Sequence, residues 1–139
     1  MDTIFEYAMC INCMEEMRKS LSEESRQKVD NYLLEHSNLD ERRNKLLSKE
    51  NIDVDDWISN CIINNESTHE LQEYQIMCQC QGKHMLFTYM PFMISCTASE
   101  EMQELLSKQT KDELDRFYDT HLGIPPEYKE FFKTKTPVF

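Results

Sequence analysis

Cysteine is the residue type with the widest scope for chemistry in this chain, and the stretch Cys10-Ile-Asn-Cys13 has the spacing to use it. Two intervening residues let both sulfurs face one ion, which is half of a closed zinc site. The same dithiol, set where a strand gives way to a helix, gains thiolate character from the helix N-terminus and can exchange disulfides. Cys78 and Cys80 lie two apart in an extended stretch, so they share a face and can also chelate, although their apolar neighbours make burial the simpler account. A four-ligand set would need Cys10 and Cys13 joined by Cys78 and Cys80, by Cys96, or by one of His36, His69, His84 and His121. Cys61 falls in an apolar helical stripe and reads as a small hydrophobe. Asp53, Asp55 and Asp56 stand at a helix start, where negative charge is favoured, and read as caps rather than as paired catalytic carboxylates.

The Cys10–Cys13 stretch resembles the second half of a treble-clef or zinc-ribbon module, since treble clefs set one such knuckle at a helix start. The resemblance spans about a dozen residues and implies zinc as the ligand. It departs from the pattern in having no second Cys-x-x-Cys and no His-x-x-x-His. The same four residues are similar to the dithiol turn of thioredoxin-like proteins, but no βαβ pattern precedes them and no parallel crossover follows.

The elements that must position these sulfurs are mostly helical. Met14, Met17 and Leu21 recur at helical spacing, and a capping box at Ser20–Glu23 opens a helix through Val29 and Tyr32 that ends near His36. Asn38 and Glu41 start another through Leu46. A stripe of Val54, Trp57, Ile58, Cys61 and Ile62 marks a further helix. Capping spacings at Thr97–Glu100 and Thr110–Glu113 predict helices through Leu106 and Leu122, with Gly123 as terminator, and Pro125-Pro126 starts a short turn that buries Tyr128, Phe131 and Phe132. Only Leu71–Cys96 favours extended chain. A turn at Gly82-Lys83 sets Gln81 opposite His84, Cys80 opposite Met85, Cys78 opposite Phe87, Ile76 opposite Tyr89 and Tyr74 opposite Pro91, with these last eight on one apolar face. That face is expected to pack on the stripe of Trp57 and Cys61 or on that of Leu114 and Phe117. The fold expected is therefore α+β and mostly helical, its helices packed on a small antiparallel sheet made of a hairpin near 72–95, to which a strand near 3–9 could add. No repeat, linker or low-complexity segment marks a boundary, so residues 1–139 are expected to form a single domain.

Composition narrows the function. A hydrophobic share of 40% over 139 residues supports a core that buries roughly 68% of the unfolded surface, with no staple required. The acidic residues outnumber the basic by 26 to 15, and the net charge of −11 repels a phosphate backbone or an anionic membrane. Only two glycines, Gly82 and Gly123, are present, which removes the P-loop, the dinucleotide fingerprint and the nucleophile elbow. The first residues lack a basic n-region and an apolar h-region, so reduced thiols and a cytoplasmic location are expected. The chain reads as a small acidic, soluble, non-catalytic interaction module with a protein partner, no nucleic acid and no membrane. Its candidate metal residues are Cys10 and Cys13, with Cys78 and Cys80 as less favoured partners, and zinc is the one cofactor suggested. The alternative is a thiol–disulfide oxidoreductase or redox sensor using Cys10 and Cys13.

Overall fold

Among the described residues, all α-helix starts but the one at Asn38 have a short side chain that accepts a hydrogen bond from an otherwise unsatisfied amide of the first turn. The computed structural model describes residues 6–130, and among these the helices are α1 (Ile11–Ser20), α2 (Glu23–His36), α3 (Leu39–Leu47), α4 (Val54–Ile58), α5 (Cys96–Glu104) and α6 (Lys108–His121). The strands are β1 (Tyr74–Met77), β2 (Gln79–Gln81), β3 (His84–Leu86) and β4 (Phe92–Ser95). This is the expected α+β layout of helices with small antiparallel sheets. The strand expected near 3–9 lies partly outside the described residues, and its described part, 6–9, forms no regular element. Phe131 and Phe132 also lie outside them. The described residues group into two compact units, one built from the chain up to Asp30 together with that from Glu100 onward, the other from Asn31–Ser99.

The first unit is organised by two helix starts that exchange hydrogen bonds. Ser22 caps α2 by accepting from the Ser25 amide at 3.1 Å, and Ser107 caps α6 by accepting from the Thr110 amide at 3.1 Å. Each cap residue then gives its own amide to the other helix: Ser22 N–H donates to Thr110 Oγ1, and Ser107 N–H donates to Ser25 Oγ, both at 3.0 Å. The Ser22 hydroxyl donates to Ser25 Oγ at 2.9 Å and the Ser107 hydroxyl to Thr110 Oγ1 at 3.0 Å. The pattern has the form of a local twofold.

The sequence carries the same twofold, contrary to the expectation of no repeat. At one constant offset, Glu15, Glu16, Met17, Leu21, Ser22, Asp30 and His36 match Glu100, Glu101, Met102, Leu106, Ser107, Asp115 and His121, while Ser25 matches Thr110 and Val29 matches Leu114. A helix, a buried leucine, a capping serine and a second helix therefore occur twice. The two copies hide from a scan for simple self-similarity, because many of their other matched positions differ in charge, as Glu23 and Lys108 or Lys28 and Glu113 do. Leu21, Val29, Leu106, Leu114, Phe117 and Ile124 are buried, and α1 packs on α6. Gly123, at φ 54°, takes the left-handed position just after α6.

In the second unit the buried strand is β4, with all four residues enclosed. It pairs antiparallel with β1, Tyr74 opposite Ser95 and Met77 opposite Phe92. The tip of the hairpin forms as expected, Gln81 opposite His84 and Cys80 opposite Met85, around Gly82 at φ 60°. The continuous register is corrected beyond that point: Tyr74 meets Ser95 rather than Pro91, because residues 87–91 leave the ladder in a turn closed by Thr88 N–H donating to Met90 O at 3.0 Å. Arg42 anchors this turn. Its guanidinium donates to Tyr89 O at 3.0 Å, to Pro91 O at 2.9 Å and to Trp57 O, and lies 5.1 Å from the centroid of the Trp57 ring. The expected apolar face is consequently not a core face, since Ile76, Cys78, Cys80 and Met85 are all exposed. Phe87 instead meets Trp57 edge-on at 5.3 Å.

The stripe helix is shorter than its periodicity predicts. Asp53 caps it by accepting from the Asp55 amide at 3.0 Å, but α4 ends at Ile58, after which Cys61 bridges to Met93 and Ile62 N–H donates to Met93 O at 3.1 Å. Pairing with β4 replaces the next helical turn. Cys61 is buried there, as expected for a small hydrophobe, and α4 packs on β4.

Candidate functional site

Cys10 has extended backbone, φ −73° and ψ 161°, and occupies the N-cap of α1. Its Sγ accepts from the Cys13 N–H at 3.4 Å, while its carbonyl accepts from Met14 N–H at 3.0 Å and closes the first turn. The helix thus starts on a thiol used as a cap. The equivalent start in the second copy uses a hydroxyl: Ser95 Oγ accepts from the Ala98 N–H at 3.2 Å. The two caps occupy matching positions of the repeat, and they differ in that a thiol ordinarily loses its proton at about pH 8.5, whereas a serine hydroxyl does not ionise in that range.

The electrostatics of the pair are asymmetric. The Cys13 backbone N–H, aimed at Cys10, is the largest influence holding the Cys10 thiol below its ordinary value, and a bond from the Cys13 thiol adds to it. Cys13 is pushed up, first by its side-chain hydrogen bond with Cys10, then by burial and by the negative charges of Cys10 and Glu16. Cys10 is exposed and Cys13 half-buried. Of the two thiols, Cys10 is therefore the one whose thiolate is favoured and Cys13 the one whose proton is held more firmly.

Cys78 and Cys80 are brought together at the break between β1 and β2, their sulfurs 3.9 Å apart and both exposed, which overturns the expectation of burial. Burial of its own sulfur, then the bond and charge of Cys80, push the Cys78 thiol up. The two cysteine pairs belong to different units. Among the described residues no group of three or more His, Cys, Asp and Glu side chains gathers to hold a metal. Of the histidines, His36 stacks on Tyr32 at 4.3 Å and His121 lies against Phe117 at 4.5 Å, while His69 and His84 are exposed.

Sequence reasoning placed Cys10 at a helix start but did not recognise it as a cap; the signal was the spacing it shares with Ser95. It also missed an open cleft of about 650 Å³ between α5 and α6, bordered by Glu104, Lys108, Lys111 and Asp115. No family model, curated protein or solved structure matches the chain. Among the described residues no helix is long and apolar enough to cross a membrane.

Proposed function

We propose that the protein exchanges disulfides through Cys10 and Cys13. The observation that supports this most is the hydrogen bond from the Cys13 amide to an exposed Cys10 sulfur at the N-terminus of α1. An amide donor and the positive end of the helix both favour the thiolate, which is the form that attacks. Cys10 thiolate attacks one sulfur of a partner disulfide, forming a mixed disulfide, and the other partner sulfur leaves as a thiolate that takes up a proton. Cys13 then loses its proton, attacks the Cys10 sulfur and releases the second partner thiol, leaving Cys10 and Cys13 oxidised. The partner disulfide is the oxidant, so electrons balance without a cofactor.

The test equilibrates the protein against glutathione mixtures of graded potential and counts free thiols by mass. The reading requires a single two-electron transition that Cys10→Ser and Cys13→Ser each abolish. Absence of a Cys10–Cys13 disulfide at every poise would rule it out. A second reading, the non-catalytic acidic interaction module with a partial zinc knuckle, draws on the exposure of Cys10 beside the half-buried Cys13, because a protein partner could supply two further ligands. One zinc per complex, lost from Cys10→Ser, would favour that reading.

A further inference from the structure

We propose that Cys78, Cys80 and Met85 form a second and separate site, an all-sulfur face that binds a soft monovalent metal ion, copper(I). It lies in the Asn31–Ser99 unit and does not depend on Cys10 or Cys13. Three observations converge. The Cys78 and Cys80 sulfurs are 3.9 Å apart and exposed. Cys80 is directly opposite Met85 in the β2–β3 register, so the thioether stands on the same face as the thiols, with Cβ atoms about 4.5–5.5 Å apart. Met85 is 40% exposed, so the third sulfur is also available from solvent.

The alternation of side chains along β2 and β3 sorts the donors by softness. Gln79, Gln81, His84 and Leu86 point to the opposite face, so the nitrogen and amide oxygen donors of the hairpin are directed away from the sulfurs. Thiolate and thioether ligands with no oxygen select copper(I) over hard ions. Zinc asks for four ligands in a closed structural site, and this face offers three. With a metal–sulfur distance of about 2.3 Å, two sulfurs 3.9 Å apart subtend an angle of about 116° at the ion, close to a trigonal arrangement. A disulfide is the less favourable use of the pair, because residues two apart in extended chain have Cα atoms about 6.7 Å apart, at the limit of what a disulfide spans.

The experiment titrates the reduced full-length chain anaerobically with copper(I) against a coloured copper(I) chelator. The proposal expects one equivalent held by the wild type, with thiolate-to-copper absorption in the near ultraviolet. Since even an outer-shell change at a metal site costs about 10–100-fold in affinity, Cys78→Ser or Cys80→Ser should weaken binding by about 100-fold or more, and Met85→Leu by about 10-fold. A Cys10→Ser/Cys13→Ser double variant should bind as the wild type does. Thermal melts of each variant check folding, which these exposed positions leave intact. Copper(I) affinity that follows Cys10 and Cys13, wild-type affinity in Cys78→Ser and Cys80→Ser, or displacement of copper(I) by equimolar zinc would each overturn the proposal. Disulfide exchange at Cys10 would stand or fall separately.

Discussion

Cys10 and Ser95 cap matching helix starts in the two copies of the repeat, and the two caps differ by one atom, sulfur in place of oxygen. Because serine already does this work elsewhere in the chain, Cys10→Ser should leave stability within about 0.5 kcal/mol of wild type in denaturant melts. It should nonetheless remove the thiol that alkylates at lowest pH. In the wild type, alkylation of Cys10 should half-saturate at lower pH than that of Cys13, following the opposite directions of their shifts. Tyr118 is the other residue with a strong pH signature. Burial, with smaller effects from Tyr7 and Asp115, raises its phenol well above the ordinary value. Its proton is retained in the fold and lost from the unfolded chain above about pH 10. The stabilisation is therefore complete below pH 10 and is lost as pH rises from there toward the folded value. Tyr118→Phe should flatten the alkaline limb of a stability–pH curve, and a limb as steep as wild type would contradict this.

The helix boundaries show what local spacing conveys and where it stops. The sequence places capping boxes at Ser20, Thr97 and Thr110, whereas Ser22, Ser95 and Ser107 are the caps, each two or three residues away. The existence of each helix is legible because apolar spacing and a nearby hydroxyl agree; which hydroxyl caps is not, since several stand within one turn and burial decides. Thr110 fits a cap by spacing but serves as acceptor for the Ser22 amide, a contact made across 88 residues. Thr110→Val, of similar shape, should leave that amide unsatisfied and cost about 1–3 kcal/mol. Ser25→Ala, the matching change in the other copy, should cost a similar amount. Arg42 is a comparable anchor in the other unit, with three carbonyls on one guanidinium. An ammonium cannot reproduce that fork, so Arg42→Lys should cost about 1.5–3 kcal/mol despite keeping its charge.

For the whole molecule, residue types were enough to indicate α+β, the helix count and the hairpin tip, since each rests on contacts close in sequence. The rest of the sheet was not legible. Removing Phe87–Pro91 from the ladder depends on Arg42, and no period-2 pattern encodes a side chain arriving from α3. The same limit applies to Cys78 and Cys80, which are exposed although Cys80 keeps its expected place opposite Met85: residue types do not say whether anything covers that face. Stability should accordingly depend on β4 more than on the hairpin: Met93→Ala, fully enclosed, should cost about 2–5 kcal/mol. Half-buried Phe87→Ala should cost less than the about 3–5 kcal/mol of an enclosed phenylalanine. The division of the first unit between the two ends of the chain also sets an order in time. The Ser22 amide reaches the ribosome exit 88 residues before its acceptor, which at 5–20 residues per second is a wait of roughly 4–18 s. During that interval Leu21 and Val29 have no partner leucines to cover them, while everything Asn31–Ser99 needs for its own core has already emerged. The nascent chain should therefore complete Asn31–Ser99 before the unit that joins α1 and α2 to α6, with α1 and α2 open to chaperones until α6 has emerged.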